Sequence, residues 1–103
     1  SFEYLNVISA QITLPAKFDL LQNYPNPFNP STKIFWQLPV SGWVTLKIFD
    51  ALGSEVETLI NEYQEAGTHS KLYIINSTLP SGVYYYQLKA GEFLETKKMI
   101  LLR

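Results

Sequence analysis

Cysteine is absent from the 103-residue chain, so neither disulfides nor thiolate metal sites hold it together. Histidine is nearly absent, and His69 alone leaves a structural zinc site without enough ligands. His69 directly precedes Ser70, and neighbours on a strand point to opposite faces, so the two do not form a nucleophile and base pair. A turn-end or packing role is expected for it. Charge of one sign is also lacking: eight Lys and Arg against nine Asp and Glu give a net charge of −1. That balance supplies no field to draw phosphate backbones or anionic lipid, and no nucleic-acid partner is expected. No apolar run approaches the ~20 residues of a membrane-spanning helix, and no signal-peptide pattern opens the sequence. The five glycines, at 42, 53, 67, 82 and 91, are scattered one per turn, so no phosphate-cradling loop exists.

What is present suits a folded core, with 47% apolar and 15% aromatic residues. The length fits one domain, with room for a short piece of a neighbour. From Thr32 the apolar residues alternate: Ile34, Trp36 and Leu38 share one parity, then Val44, Leu46 and Ile48 repeat it after a Ser41-Gly42 turn. Period two means half-buried strands. Asp50 and Gly53 of "DALG" make a turn into Val56 to Tyr63, and Gly67 makes another into a strand around Ser70 to Ile75. A Pro80-Ser81-Gly82 turn precedes a Tyr-rich strand from Val83 to Lys89 that contains Tyr84. Ala90-Gly91 then turns the chain into "FLETKKMILLR". The ten-residue spacing of turns is that of an antiparallel sandwich. In "SEVETLINEYQEAG", Val56, Leu59, Ile60 and Tyr63 recur at helical intervals, yet strand is favoured over one helical turn. Residues 1–16 read either as a first strand or as the last strand of a preceding domain followed by a linker.

Chemistry-bearing groups are few. Glu55 and Glu57 share a strand face about 6.5 to 7 Å apart, whereas glycosidase carboxylates face each other across a cleft; a solvated face is expected. Asp19, Asp50, Glu92 and Glu95 sit singly near turns, without calcium-loop spacing. "NST" at Asn76 matches a glycosylation pattern of low specificity. Neither catalytic residues nor metal or cofactor sites are expected. Trp36 shares its parity with core residues. Trp43, Tyr73 and Tyr85 have the opposite parity to their apolar neighbours, and exposed aromatics of this kind keep a carbohydrate-binding or structural surface module open as an alternative function.

The stretch "LQNYPNPFNPST" contains Asn23, Tyr24, Pro25, Asn26, Pro27, Phe28, Asn29 and Pro30. Each proline removes an N–H and biases the residue before it toward extended geometry, so neither helix nor inner strand fits. Asparagine side chains satisfy the turning backbone instead, and Tyr24 and Phe28 either anchor the segment or stand exposed.

This stretch, followed in order by "IFDALGSEV", "AGTH", "LPSGVYYYQL" and "KKMILL", resembles the C-terminal sorting domain of cargo secreted by the type IX system of Bacteroidetes and related bacteria. The resemblance covers residues 18 to 103, and such domains are similar to the immunoglobulin-like domain of flagellar hook-capping proteins. It implies an immunoglobulin-like β-sandwich of about seven strands over residues 17–103, covalently preceded by a cargo domain. Its partners would be the outer-membrane translocon and a sortase-like peptidase, and its destination the cell surface or the medium, with the tag often removed. Family recognition leans on the last strand, which here offers Gly91, Lys97, Lys98, Met99, Leu101 and Arg103. Strand addition or self-association at this edge is a further expectation. Ile74-Ile75 stands where members commonly carry Trp-Asp, and Arg103 replaces a terminal lysine. On this reading the Asn-Pro segment is a stiff lead-in between cargo and tag, and cutting falls near Pro15 to Lys17.

Overall fold

A computed structural model describes residues 14–103. The first segment read from the sequence, residues 1–16, therefore lies outside the described residues except for Leu14, Pro15 and Ala16, which form no strand. Seven strands follow: β1 (Asp19–Leu20), β2 (Ser31–Leu38), β3 (Gly42–Asp50), β4 (Glu55–Gln64), β5 (Gly67–Ile74), β6 (Gly82–Ala90) and β7 (Phe93–Leu101). All strand pairings are antiparallel. One sheet has the order β1-β2-β5 and the other β4-β3-β6-β7, an antiparallel sandwich of the immunoglobulin-like kind.

Period-two patterning places the core where the sequence puts it. Ile34, Trp36 and Leu38 from one sheet are buried together with Val44, Leu46, Ile48, Tyr86 and Leu88 from the other. Burying side chains of this size stabilises by about 1.5–3 kcal/mol each. Trp36 carries a polar N–H into this core, and the buried end of β4 supplies its partner: Nε1 donates to Gln64 Oε1 at 3.0 Å. His69 stacks on the Trp36 ring with centroids 6.0 Å apart, and its Nε2 lies 2.7 Å from the Glu65 carbonyl oxygen. Packing, rather than chemistry, is what this histidine does.

The helix-like spacing in β4 has a specific cause. Leu46 pairs with Ile60 but Lys47 with Thr58, and Ile48 pairs with Glu57 but Phe49 with Glu55. Leu59 and Val56 are the extra residues of two bulges, and both pack against the core. Two bulges thus convert a strand's alternation into intervals of three and four. At β5 the expected exposure of Tyr73 fails. Leu72, Tyr73, Ile74 and Ile75 are all apolar, so the sequence leaves the parity undetermined. Pairing of Tyr73 with buried Thr32 resolves it: Tyr73 is 1% exposed, while Leu72 and Ile74 face outward. Trp43 is exposed, as its parity suggests, and Tyr85 is half-buried.

Turn chemistry fixes the ends. The Asp50 carboxylate accepts from the Leu52 and Ser54 amides at 3.0 and 2.9 Å, and Gly53 N–H donates to Asp50 C=O. Gly53 sits at φ +87°, where an L side chain is strained. The β6–β7 hairpin turns on two residues with Gly91 first, at φ +61°, the position a type II′ turn reserves for glycine. Gly67 and Gly82 open β5 and β6.

The described chain approaches the sandwich at one end through Phe18, whose ring stacks on Phe93 at 5.2 Å. The β2–β3, β4–β5 and β6–β7 turns share that end. The β3–β4 turn, the β5–β6 loop and the finish of β7 share the other. Nine-residue strands separate the two ends by roughly 25–30 Å.

Among the described residues, Tyr73 Oη is buried without a hydrogen-bond partner, which costs about 1–3 kcal/mol. Tyr73→Phe should therefore raise the unfolding free energy by about 1 kcal/mol in urea denaturation, and a loss of stability would show that the hydroxyl has a partner.

Candidate functional site

The Asn-Pro segment and the last strand, far apart in sequence, form one hydrogen-bonded unit. Pro25, Pro27 and Pro30 have no N–H, so the segment is short of donors and is partnered chiefly as an acceptor. Pro30 C=O accepts from Ile75 N–H at 3.0 Å, and Phe28 C=O accepts from Leu102 N–H at 3.0 Å. Asn26 Oδ1 accepts from Ile100 N–H at 2.9 Å. In return Phe28 N–H donates to Ile100 C=O at 2.9 Å, and Gln22 Nε2 donates to Lys98 C=O at 2.8 Å. Phe28 bridges to Leu101 in the parallel sense, and its side chain is buried against Tyr73. Tyr24 bonds both ways with the Lys33 backbone while its ring stands exposed. One short segment thus joins β2 of one sheet, beside the short β1, to the β7 edge of the other.

At its centre lies Asn23, buried and polar. Its Nδ2 donates to Thr32 Oγ1 at 2.9 Å and to Pro25 C=O at 3.2 Å, and its Oδ1 accepts from Gln22 Nε2 at 2.7 Å. Thr32 Oγ1 donates to Pro25 C=O at 2.8 Å. Asn23 N–H donates to Tyr86 Oη at 2.9 Å, and Tyr86 Oη donates to Leu21 C=O at 2.7 Å. Every polar group of the Asn23 side chain is satisfied, which is what makes its burial tolerable. Burial pushes the Tyr86 phenol up to about 12, against a lowering by the Asn23 amide and with a further rise from Glu95. Tyr73 is likewise raised to about 12, chiefly by burial and then by Glu57 and Tyr84.

The residues singled out on the last strand divide between its two faces. Met99 and Leu101 are fully buried core side chains. Lys97 lies on the same half-buried side, 3.4 Å from Glu95, so an acid stands beside it. Lys98 faces out, opposite Tyr85. Arg103 folds back on the β5–β6 loop: Nε donates to Leu79 C=O and Nη2 to Asn76 C=O, both at 2.8 Å, and its N–H donates to Ser81 Oγ at 2.9 Å. Tyr84 Oη donates to Pro80 C=O in the same loop at 2.7 Å. Gly91 lies at the far end of the strand, in the hairpin. Asn29 is exposed.

The β7 edge is only partly open. Alternate residues of an antiparallel edge strand point their main-chain groups outward, and from Lys98 C=O onward these are taken by residues 22–28. Among the described residues, the outward groups of Leu94 and Thr96 have no backbone partner. Sequence reasoning missed Gln22, Thr32 and Tyr86 as members of this unit, since their partners lie up to 76 residues away. Glu55 and Glu57 are exposed, and Glu55 pairs with Lys47 at 3.3 Å.

The chain matches a family model described as Secretion system C-terminal sorting domain over residues 22–102, a span that begins and ends on the two halves of this unit. No curated protein and no solved structure matches it.

The raised phenols carry a pH signature. A folded-state value of about 12 against about 10 unfolded means the folded chain holds these protons more tightly. Their stabilisation is complete below pH 10 and is lost as pH rises through 12. The urea midpoint should hold steady between pH 7 and 9 and fall across about pH 10 to 12, less steeply in Tyr73→Phe; a flat profile to pH 12 would contradict the burial of both hydroxyls.

Proposed function

The chain belongs to the family of secretion system C-terminal sorting domains, signals of the type IX system that lead to the cell surface or outside, and from this we propose that it is a tag read as a folded unit. The cargo precedes it, and the translocon in the outer membrane reads the end of the sandwich where β7 finishes. The observation that carries this reading is the bonding of residues 22–28 to residues 98–102. Both halves of the family signature are thereby held in one object, toward the end remote from Phe18. Lys98 faces solvent without a carboxylate partner among the described residues, so it steers the encounter with an acidic receptor surface. Arg103 orders the adjoining loop through the carbonyls of Asn76 and Leu79. Removal of the tag by a sortase-like peptidase would fall at Pro15 to Lys17, ahead of the first strand, where Ala16 and Lys17 are exposed.

A second reading rests on a separate observation. Trp43 and Tyr63 are 60% and 55% exposed and directly paired across β3 and β4. Trp43 Nε1 donates to Asn61 Oδ1 at 2.7 Å, which fixes the indole beside a cleft lined by Thr45, Lys89 and Gly91. A flat ring flanked by polar groups is suited to stacking on a sugar.

Export decides the first reading. A reporter with an inner-membrane export signal, fused ahead of the full chain in a type IX-competent bacterium, should reach the surface or medium. Deleting Met99 to Arg103 should abolish this, and Lys98→Ala with Arg103→Ala should reduce it several-fold; unchanged export in both variants rejects the proposal. For the second reading, the chain should be retained on insoluble polysaccharide and Trp43→Ala should pass through. Equal elution of the two proteins would remove the sugar platform.

A further inference from the structure

Leu52 is the most exposed large apolar side chain among the described residues, at 93%. It sits at the tip of the β3–β4 turn, where polar residues are usual, and so little of it is covered that it contributes nothing appreciable to the core. The turn beneath it is nonetheless rigid. Asp50 gathers the amides of Leu52, Gly53 and Ser54 and donates its own N–H to Ser54 C=O. Four hydrogen bonds thus hold the backbone that presents a side chain the fold does not use.

Its surroundings say what it is held against. Leu52 borders a surface cleft of about 200 Å³ whose other wall is Pro80, Ser81 and Gly82. Ser81 is the residue that accepts the Arg103 amide. The turn tip, the cleft, the loop and the finish of β7 therefore make one continuous surface, at the end opposite Phe18. The described chain enters the sandwich at the Phe18 end, so a reader indifferent to cargo approaches from this one.

We propose that Leu52 is the apolar anchor by which the type IX machinery engages this end, entering a hydrophobic pocket on the receptor. The inference rests on the sorting-signal reading and names a contact that reading does not contain. The turn backbone is already hydrogen-bonded in the free tag, so docking has chiefly the leucine side chain left to immobilise. One buried leucine side chain corresponds to about a tenfold change in binding.

The test uses the full chain fused to the same exported reporter. Leu52→Asp and Leu52→Ser should each lower surface or secreted reporter about tenfold or more, with the thermal midpoint of the purified chain unchanged, whereas Leu52→Met should keep most of the export. Export of Leu52→Asp and Leu52→Ser at the level of the unaltered chain overturns the anchor while leaving the sorting signal intact. Failure of the unaltered chain itself to be exported overturns the sorting-signal reading, and the anchor with it. A midpoint that drops in both Asp and Ser variants in step with export also overturns the anchor, because Leu52 would then serve folding.

Discussion

Burial of Asn23 is the constraint on which the rest of the structure turns. An amide taken out of water costs free energy unless each of its donors and acceptors is met. Here they are met only if Gln22, Pro25 and Thr32 converge on one point. The Asn23 main-chain N–H adds Tyr86 from the other sheet, and Gln22 extends the same network to the β7 backbone. The segment around this residue thereby ties the two sheets together along the β1 and β7 edges. It does for this sandwich what an inter-sheet disulfide does in oxidised immunoglobulin domains, without a cysteine in the chain.

Much of this fold is legible in the sequence because much of it is period two. The faces of β2 and β3 follow from Ile34, Trp36, Leu38, Val44, Leu46 and Ile48 alone, and the turns from Asp50, Gly53 and Gly91. The reading fails where apolar residues are consecutive. From Leu72 to Ile75 both parities are hydrophobic, and only the partner strand decides that Tyr73 goes in. In β4 two bulges mimic helical spacing, and only the pairing with β3 tells this distortion from a helical turn.

The Asn-Pro segment is legible only by half. Its prolines announce that it is neither helix nor inner strand, and its asparagines that it bonds its surroundings. Which surroundings is a tertiary fact, because Asn26 and Phe28 find their partners on β7. A stiff lead-in at one end of the chain and a signal at the other therefore describes the sequence order but not the object. Likewise, the faces of the last strand separate residues that are neighbours in sequence: Met99 and Leu101 hold the core, while Lys98 is presented.

The long reach of the Asn-Pro bonds has a consequence in time. Contacts between residues 22–28 and residues 98–102 have nearly the largest sequence separation that the described chain allows, and such pairings close late in folding. Until the Ile100 and Leu102 amides have been made, the acceptors on Asn26 and Phe28 have no partners. The Asn-Pro segment, synthesised early in the described chain, is therefore among the last parts to be fixed in place.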